Sequence, residues 1–170
     1  MNQPKHPRLG NRDFFRIVSA GRDVSWKGFE ALKRVGKRHS HWEVIIGTDL
    51  PQQELHKLIE SADVFVLNST YEGLPHILIE VMHLAIPIIA TNVGGIPELI
   101  KDKCYGLLIP PNDEEALYKA LKDVETNTYA ATLRATSAWQ YINHGTVTEE
   151  KEINDLVSLA LLFDKNRVVV

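Results

Sequence analysis

Several things this sequence lacks narrow what it can be. It has one cysteine, Cys104, in 170 residues. No internal disulfide can form, which excludes the small disulfide-stapled secreted domains. No run approaches the roughly 20 apolar residues that a membrane-spanning helix needs. The opening "MNQPKHPRLGNRDFFRI" lacks the apolar stretch of a signal peptide, so a cytoplasmic location is expected. A positive charge excess is missing too: 19 Lys+Arg against 22 Asp+Glu leave a net charge of −3. That argues against a dedicated nucleic-acid binder. No internal repeat and no low-complexity tract is seen. No G-x-G-x-x-G follows the first apolar run, which makes a nicotinamide-dependent dehydrogenase a weak reading.

What is present is a regular alternation. Residues 1–13 are polar, contain Pro4, Pro7 and Gly10, and read as a loose lead-in. Strands are expected at 14–20, 42–47, 63–69, 87–93 and 106–110. Helices are expected at 27–38, 51–62, 76–85 and 113–124, with a helical turn at 96–100 and two more helical stretches near 130–142 and 148–163. The strands are continuous apolar runs, the pattern of strands buried on both faces. The expected fold is therefore α/β: a Rossmann-like, doubly wound parallel sheet over 14–126, with a C-terminal helical segment, 127–170, in the same domain. Such sheets bind ligands beyond the carboxyl ends of their strands. The loops after Ala20, Gly47, Asn68 and Thr91 are where a site belongs.

Three of those loops carry candidates. In "GRDVSWKG", Gly21 allows a sharp exit from the strand, and Arg22 and Lys27 place two cations suited to phosphate. Taken alone they are equally two solvated charges. In "NSTYEGLPHILIE", Gly73 permits an unusual backbone angle and Pro75 occupies the first helical turn, where no amide donor is needed. The free amides beyond it form an anion site. His76, Glu80 and His83 share one stripe of that helix, while Ile77, Leu78, Val81 and Met82 face the core. A carboxylate on the stripe repels phosphate but accepts hydrogen bonds from vicinal hydroxyls, and Glu72 can do the same for a second set. A diphosphate with polyols on both sides is a nucleotide sugar. The stripe also reads as a plain solvated face or, least of all, as a metal site. In "TNVGGIPELI", Gly94 and Gly95 let the backbone come close to a ligand, and the following turn offers amides. A plain turn is the alternative.

Four motifs in order, "G-R…K-G" at Gly21, Arg22, Lys27 and Gly28, Glu-x7-Glu at Glu72 and Glu80, "G-G-x-x-E" at Gly94, Gly95 and Glu98, and "GLLIPPND" at 106–113, resemble the C-terminal donor-binding domain of retaining GT-B glycosyltransferases, the glycosyl transferases group 1 family. The resemblance covers about residues 14–125. It implies that Arg22 and Lys27 contact the donor diphosphate and stabilise charge on the leaving nucleotide, and that Glu72 binds the donor sugar. These three are the catalytic candidates. It further implies that Glu80 binds the ribose hydroxyls and that backbone near Gly21, Gly73, Leu74, Gly94 and Gly95 lines the donor. No metal and no cofactor is implied, since cations and helix amides take their place. The substrate is a UDP- or GDP-linked sugar.

Two departures from the family pattern shape the expectation. Only about 13 residues precede the first strand, so the acceptor-binding domain is expected from a separate domain or subunit. One helix–strand unit after Gly47 is missing, which removes an edge strand and leaves a five-stranded sheet. The expected function is the donor-binding half of a retaining hexosyltransferase, inactive without an acceptor domain. The alternative is a non-catalytic interaction module with this fold. The basic cluster Lys33, Arg34, Lys37 and Arg38 offers a weak peripheral membrane contact or a solvated face. Trp42, Trp139 and Tyr141 are expected to be packing residues.

Overall fold

The computed structural model describes residues 13–145. Most of the expected lead-in and the helix expected at 148–163 lie outside them. Five strands form one all-parallel sheet: β1 (Phe15–Ala20), β2 (Trp42–Gly47), β3 (Val64–Leu67), β4 (Ile88–Thr91) and β5 (Leu107–Ile109). Their order is β2-β1-β3-β4-β5, as expected for a doubly wound sheet short of one edge unit. The helices are α1 (Phe29–Gly36), α2 (Gln52–Glu60), α3 (His76–His83), α4 (Ile96–Leu99), α5 (Glu114–Thr126) and α6 (Thr128–His144). The chain passes from β2 at Gly47 to α2 at Gln52 with no strand between them, so β2 is left at the edge.

Alternation along the strands divides the core into two layers. Val18, Phe65, Leu67, Ile88 and Ala90 point to the face covered by Ile59 of α2, by Leu78, Val81 and Met82 of α3, and by Ala138 of α6. Ile17, Val64, Val66 and Ile89 point to the opposite face, against Leu32 and Val35 of α1 and Leu117 and Leu121 of α5. Both faces are buried, and that is why the strands read as unbroken apolar runs. The chain leaves β1 for β2 on one side and reaches β3 on the other. After β1 and β3 the chain therefore runs to helices on opposite faces, α1 and α3, and a crevice forms at this switch point.

Local signals fix the helix ends. Asp113 caps α5, accepting from the amides of Glu115 and Ala116 at 3.1 and 2.8 Å, and Glu114 and Glu115 follow at the positive end of the dipole. α6 is longer than expected and buries small residues, Ala131, Ala135 and Ala138, against its neighbours. Of the three aromatic residues expected to pack, Trp42 and Tyr141 join the core clusters and Trp139 does not. Trp42 is buried, Tyr141 stacks on Tyr105 with centroids 4.8 Å apart, and Trp139 meets His144 edge-on at 5.3 Å. No helix among the described residues is long and apolar enough to cross a membrane.

At the other end of the sheet, where the strands begin, a polar cluster closes the core. Trp42 Nε1 donates to Glu125 Oε1 at 2.8 Å, His41 Nε2 meets the same oxygen at 2.5 Å, and Lys122 Nζ reaches Oε2 at 2.6 Å. Burial pushes the Glu125 carboxyl up, but the hydrogen bonds from Lys122, Trp42 and His41 outweigh it and hold the group below its ordinary value. His39 stacks on Tyr118, and the Arg38 guanidinium lies 5.0 Å above that ring.

Candidate functional site

The loop after β1 begins at Gly21, whose φ of 148° is closed to most side chains. A single 3-10 turn, Ser25–Lys27, follows and ends at Gly28. The turn sets Lys27 back against Gly21 and aims its amine across the crevice. Lys27 Nζ lies 2.6 Å from Glu72 Oε1, with the two side chains only 14% and 12% exposed. The cation is thus neither a free phosphate ligand nor a solvated charge. It is half of a nearly buried ion pair, and the acid expected to meet the sugar is its partner. Ser69 Oγ donates to the same Oε1 at 2.6 Å. Arg22, by contrast, is exposed at the rim.

Backbone contacts lock three loops together around this pair. The amide of Thr70 donates to the carbonyl of Trp26 at 2.8 Å, and the amide of Gly95 to the carbonyl of Gly73 at 2.9 Å. A Cβ on Gly28 would lie 2.2 Å from the Asn68 carbonyl oxygen, and one on Gly94 only 1.8 Å from that of Glu72. Gly94 also has a φ of 52°. These glycines exist for loop-to-loop contact.

Three expectations are corrected here: the free amides after β4, the backbone angle at Gly73 and the place of Pro75. Gly94 and Gly95 bring their backbone against residues 72 and 73. The amides of Gly95 and Ile96 are already bonded, to Gly73 and Val93, so this turn adds little to an anion site. Gly73 does not adopt a left-handed angle; a Cβ there would meet nothing within 4 Å, and the residue keeps open space beside the pair. Pro75 is the residue before α3, not its first helical residue. The helix still presents its first amides with their positive dipole end to the crevice.

On α3, Leu78, Val81 and Met82 are buried as expected, and Ile77 is half-buried. His76 and His83 are exposed, with His83 facing Asn143 at 3.1 Å. Among the described residues no group of His, Cys, Asp and Glu is gathered to hold a metal ion. Glu80 differs from the rest of its stripe. Its Oε2 is buried without a hydrogen-bond partner, one of two such side-chain oxygens among the described residues; the other is Ser19 Oγ. A buried carboxylate oxygen with no donor is costly, and it suits a hydroxyl that arrives with a ligand. Leu74 is 47% exposed, and Trp26 and Tyr71, at 42% and 73%, are the other exposed large apolar residues on the loops after β1 and β3.

Sequence reasoning missed Ser69 and Thr91. Both are buried, and Thr91 Oγ1 donates to the Ser69 carbonyl at 2.5 Å. A signal was available: polar residues fall directly after the apolar runs of β3 and β4, where a strand buried on both faces has no other reason to carry them.

Residues 33–138 match the family described as Glycosyl transferases group 1. A stretch of 88 residues is 36% identical to the alpha-maltose-1-phosphate synthase of Mycolicibacterium smegmatis, covering 51% of this chain and 23% of that protein. In three dimensions the chain is similar to a sucrose-phosphate synthase from Thermosynechococcus elongatus, with a TM-score of 0.72 and 20% identity over 90% of this chain and 46% of that one. It is likewise similar to Anabaena Alr3699/HepE in complex with UDP-glucose, with a TM-score of 0.69 and 16% identity over 90% of this chain and 49% of that one. At these identities the two solved structures speak to the fold. The chain spans about half the length of each, and the match spans less of the curated relative.

Proposed function

The chain belongs to the glycosyl transferases group 1 family, and from that membership we propose that it is the donor-binding half of a retaining hexosyltransferase. Its substrate is a sugar nucleotide with a UDP or GDP leaving group. The observation that carries this reading is the unpartnered, buried Glu80 Oε2 on the helix whose first amides face the crevice. Anion-binding amides and a hydroxyl-accepting carboxylate on one helix match a phosphorylated ribose. The Lys27–Glu72 pair adds a cation for the diphosphate and an acid for the sugar hydroxyls.

In the proposed transfer the acceptor oxygen bonds to the anomeric carbon on the face that the nucleotide leaves, the bond from that carbon to the β-phosphate oxygen breaks, and the acceptor proton passes to the departing phosphate oxygen. Lys27 and Arg22 carry the negative charge that builds on the departing diphosphate, with the α3 amides beside them. Glu72 holds the sugar through its hydroxyls, so the anomeric carbon is presented in one orientation. No metal enters this scheme. Trp26, Tyr71 and Leu74 are exposed apolar residues on the loops after β1 and β3 that carry Lys27 and Glu72. Such exposure suits a covering body, here an acceptor-binding domain or subunit that completes the reaction. A membrane contact through α1 draws less support, because Arg34 and Arg38 are paired with Glu114 and Glu115 of α5 at 2.6 and 3.0 Å.

Titration calorimetry with UDP, GDP, UDP-glucose and GDP-mannose tests the proposal. Binding of one nucleotide and its sugar, weakened by Glu80→Ala, is expected. If none of the four binds, the donor reading falls, and the non-catalytic module takes its place.

A further inference from the structure

Resting on the donor reading, a second layer of the site can be assigned. Glu72 Oε1 receives two donors, Lys27 Nζ and Ser69 Oγ, each at 2.6 Å. They differ in what a ligand does to them. Lys27 ends a flexible four-carbon stem, and an arriving diphosphate competes for its charge. Ser69 is completely buried. Its carbonyl accepts from Thr91 Oγ1 at 2.5 Å, and the next amide, that of Thr70, is tied to Trp26. It cannot follow the ligand. If Lys27 alone held Glu72, the diphosphate would release the carboxylate at the moment it must meet the sugar.

We infer that Ser69 is a positioning residue: it holds Glu72 in place when the donor diphosphate takes Lys27, and so leaves the second carboxylate oxygen aimed at a sugar hydroxyl. Ser69 acts through Glu72 and touches neither end of the donor. The chain from Thr91 through Ser69 to Glu72 belongs to the ends of β3 and β4, so the orientation of the acid is set by the sheet and not by the ligand.

The test compares nucleotide with nucleotide sugar, by calorimetry on the full chain with UDP against UDP-glucose and GDP against GDP-mannose. Ser69→Ala should leave the nucleotide within about twofold of wild type. It should weaken the nucleotide sugar by about five- to tenfold, less than the full worth of a hydrogen bond to a charged group because Ser69 acts through Glu72. Starting from Glu72→Ala, the same change should have no further effect on that ratio, because the group it acts through is gone. A general structural role predicts the opposite: equal loss for nucleotide and nucleotide sugar, and the same loss with or without Glu72. Either outcome overturns the inference, as does a Ser69→Ala variant that binds both like wild type. So does a wild type with no preference for the sugar form. Should Ser69→Ala fail to fold, Ser69→Cys keeps the volume with a weaker donor, and an intermediate loss confined to the sugar form is expected. Wild type that binds none of the four ligands defeats the donor reading itself, a separate result from any variant's.

Discussion

Glu80 and Glu125 sit at opposite ends of the same sheet and could hardly be treated more differently. Glu125, where β2 begins, has both oxygens satisfied by Trp42, His41 and Lys122. Glu80, on the helix after β3, keeps a buried oxygen with no donor at all. Both are acids at least partly withdrawn from water, so burial alone does not separate a structural carboxylate from a functional one. The difference is completeness. Where the protein supplies every donor, the group serves the fold. Where it withholds one at the end of the sheet where such folds bind ligands, the proposed reading is that the missing donor comes from outside.

The comparison can be broken by exchanging the losses. Glu80→Ala should weaken nucleotide binding by about 10- to 100-fold, the worth of hydrogen bonds to a charged acceptor. Its thermal midpoint should hold or rise, since an unsatisfied buried oxygen disappears. A clear fall in the midpoint would make Glu80 structural after all. Glu125→Ala should do the reverse. It strands the indole donor of Trp42 and lowers stability by about 1–3 kcal/mol in urea denaturation, with nucleotide affinity unchanged. Gly94→Ala tests whether the loops, and not only the side chains, hold the site. Its Cβ falls almost on the Glu72 carbonyl at a positive φ, so a stability loss of about 1–3 kcal/mol is expected, together with weaker donor binding.

The smallest expected effect is on pH. The Glu125 carboxyl is held below its ordinary value in the folded chain. Its contribution is therefore present above the unfolded value and is lost as the pH falls through the folded one. Denaturation midpoints measured downward from pH 6 should decline more steeply for wild type than for Glu125→Gln. Parallel curves would show that the cluster holds no charge-dependent stability.

The two regions were also unequally legible from sequence. The sheet could be read because five apolar runs, each buried on both faces, leave no other pattern. Glu80 could be placed off the apolar face because Leu78, Val81 and Met82 at helical spacing mark that face, but the burial of its Oε2 was not legible. The Lys27–Glu72 pair joins residues 45 apart, and no local pattern announces that a cation and an acid read as separate tools hold each other. The Glu125 cluster joins residues more than 80 apart, and Trp42 appeared there only as packing. The contact of Gly28, Gly94 and Gly95 with neighbouring loops was not legible, because a tight approach to a ligand and a tight approach to another loop ask the same of a sequence.

The bonds from Thr70 to Trp26 and from Gly95 to Gly73 have a thermodynamic consequence. Three loops that would each lose freedom on gripping a ligand have already lost it during folding. Binding then need not order the backbone, and the enthalpy of each new contact passes into affinity with little entropy set against it. On the proposed reading, the ordering cost has been moved from each binding of a donor to a single event, the collapse of the chain itself.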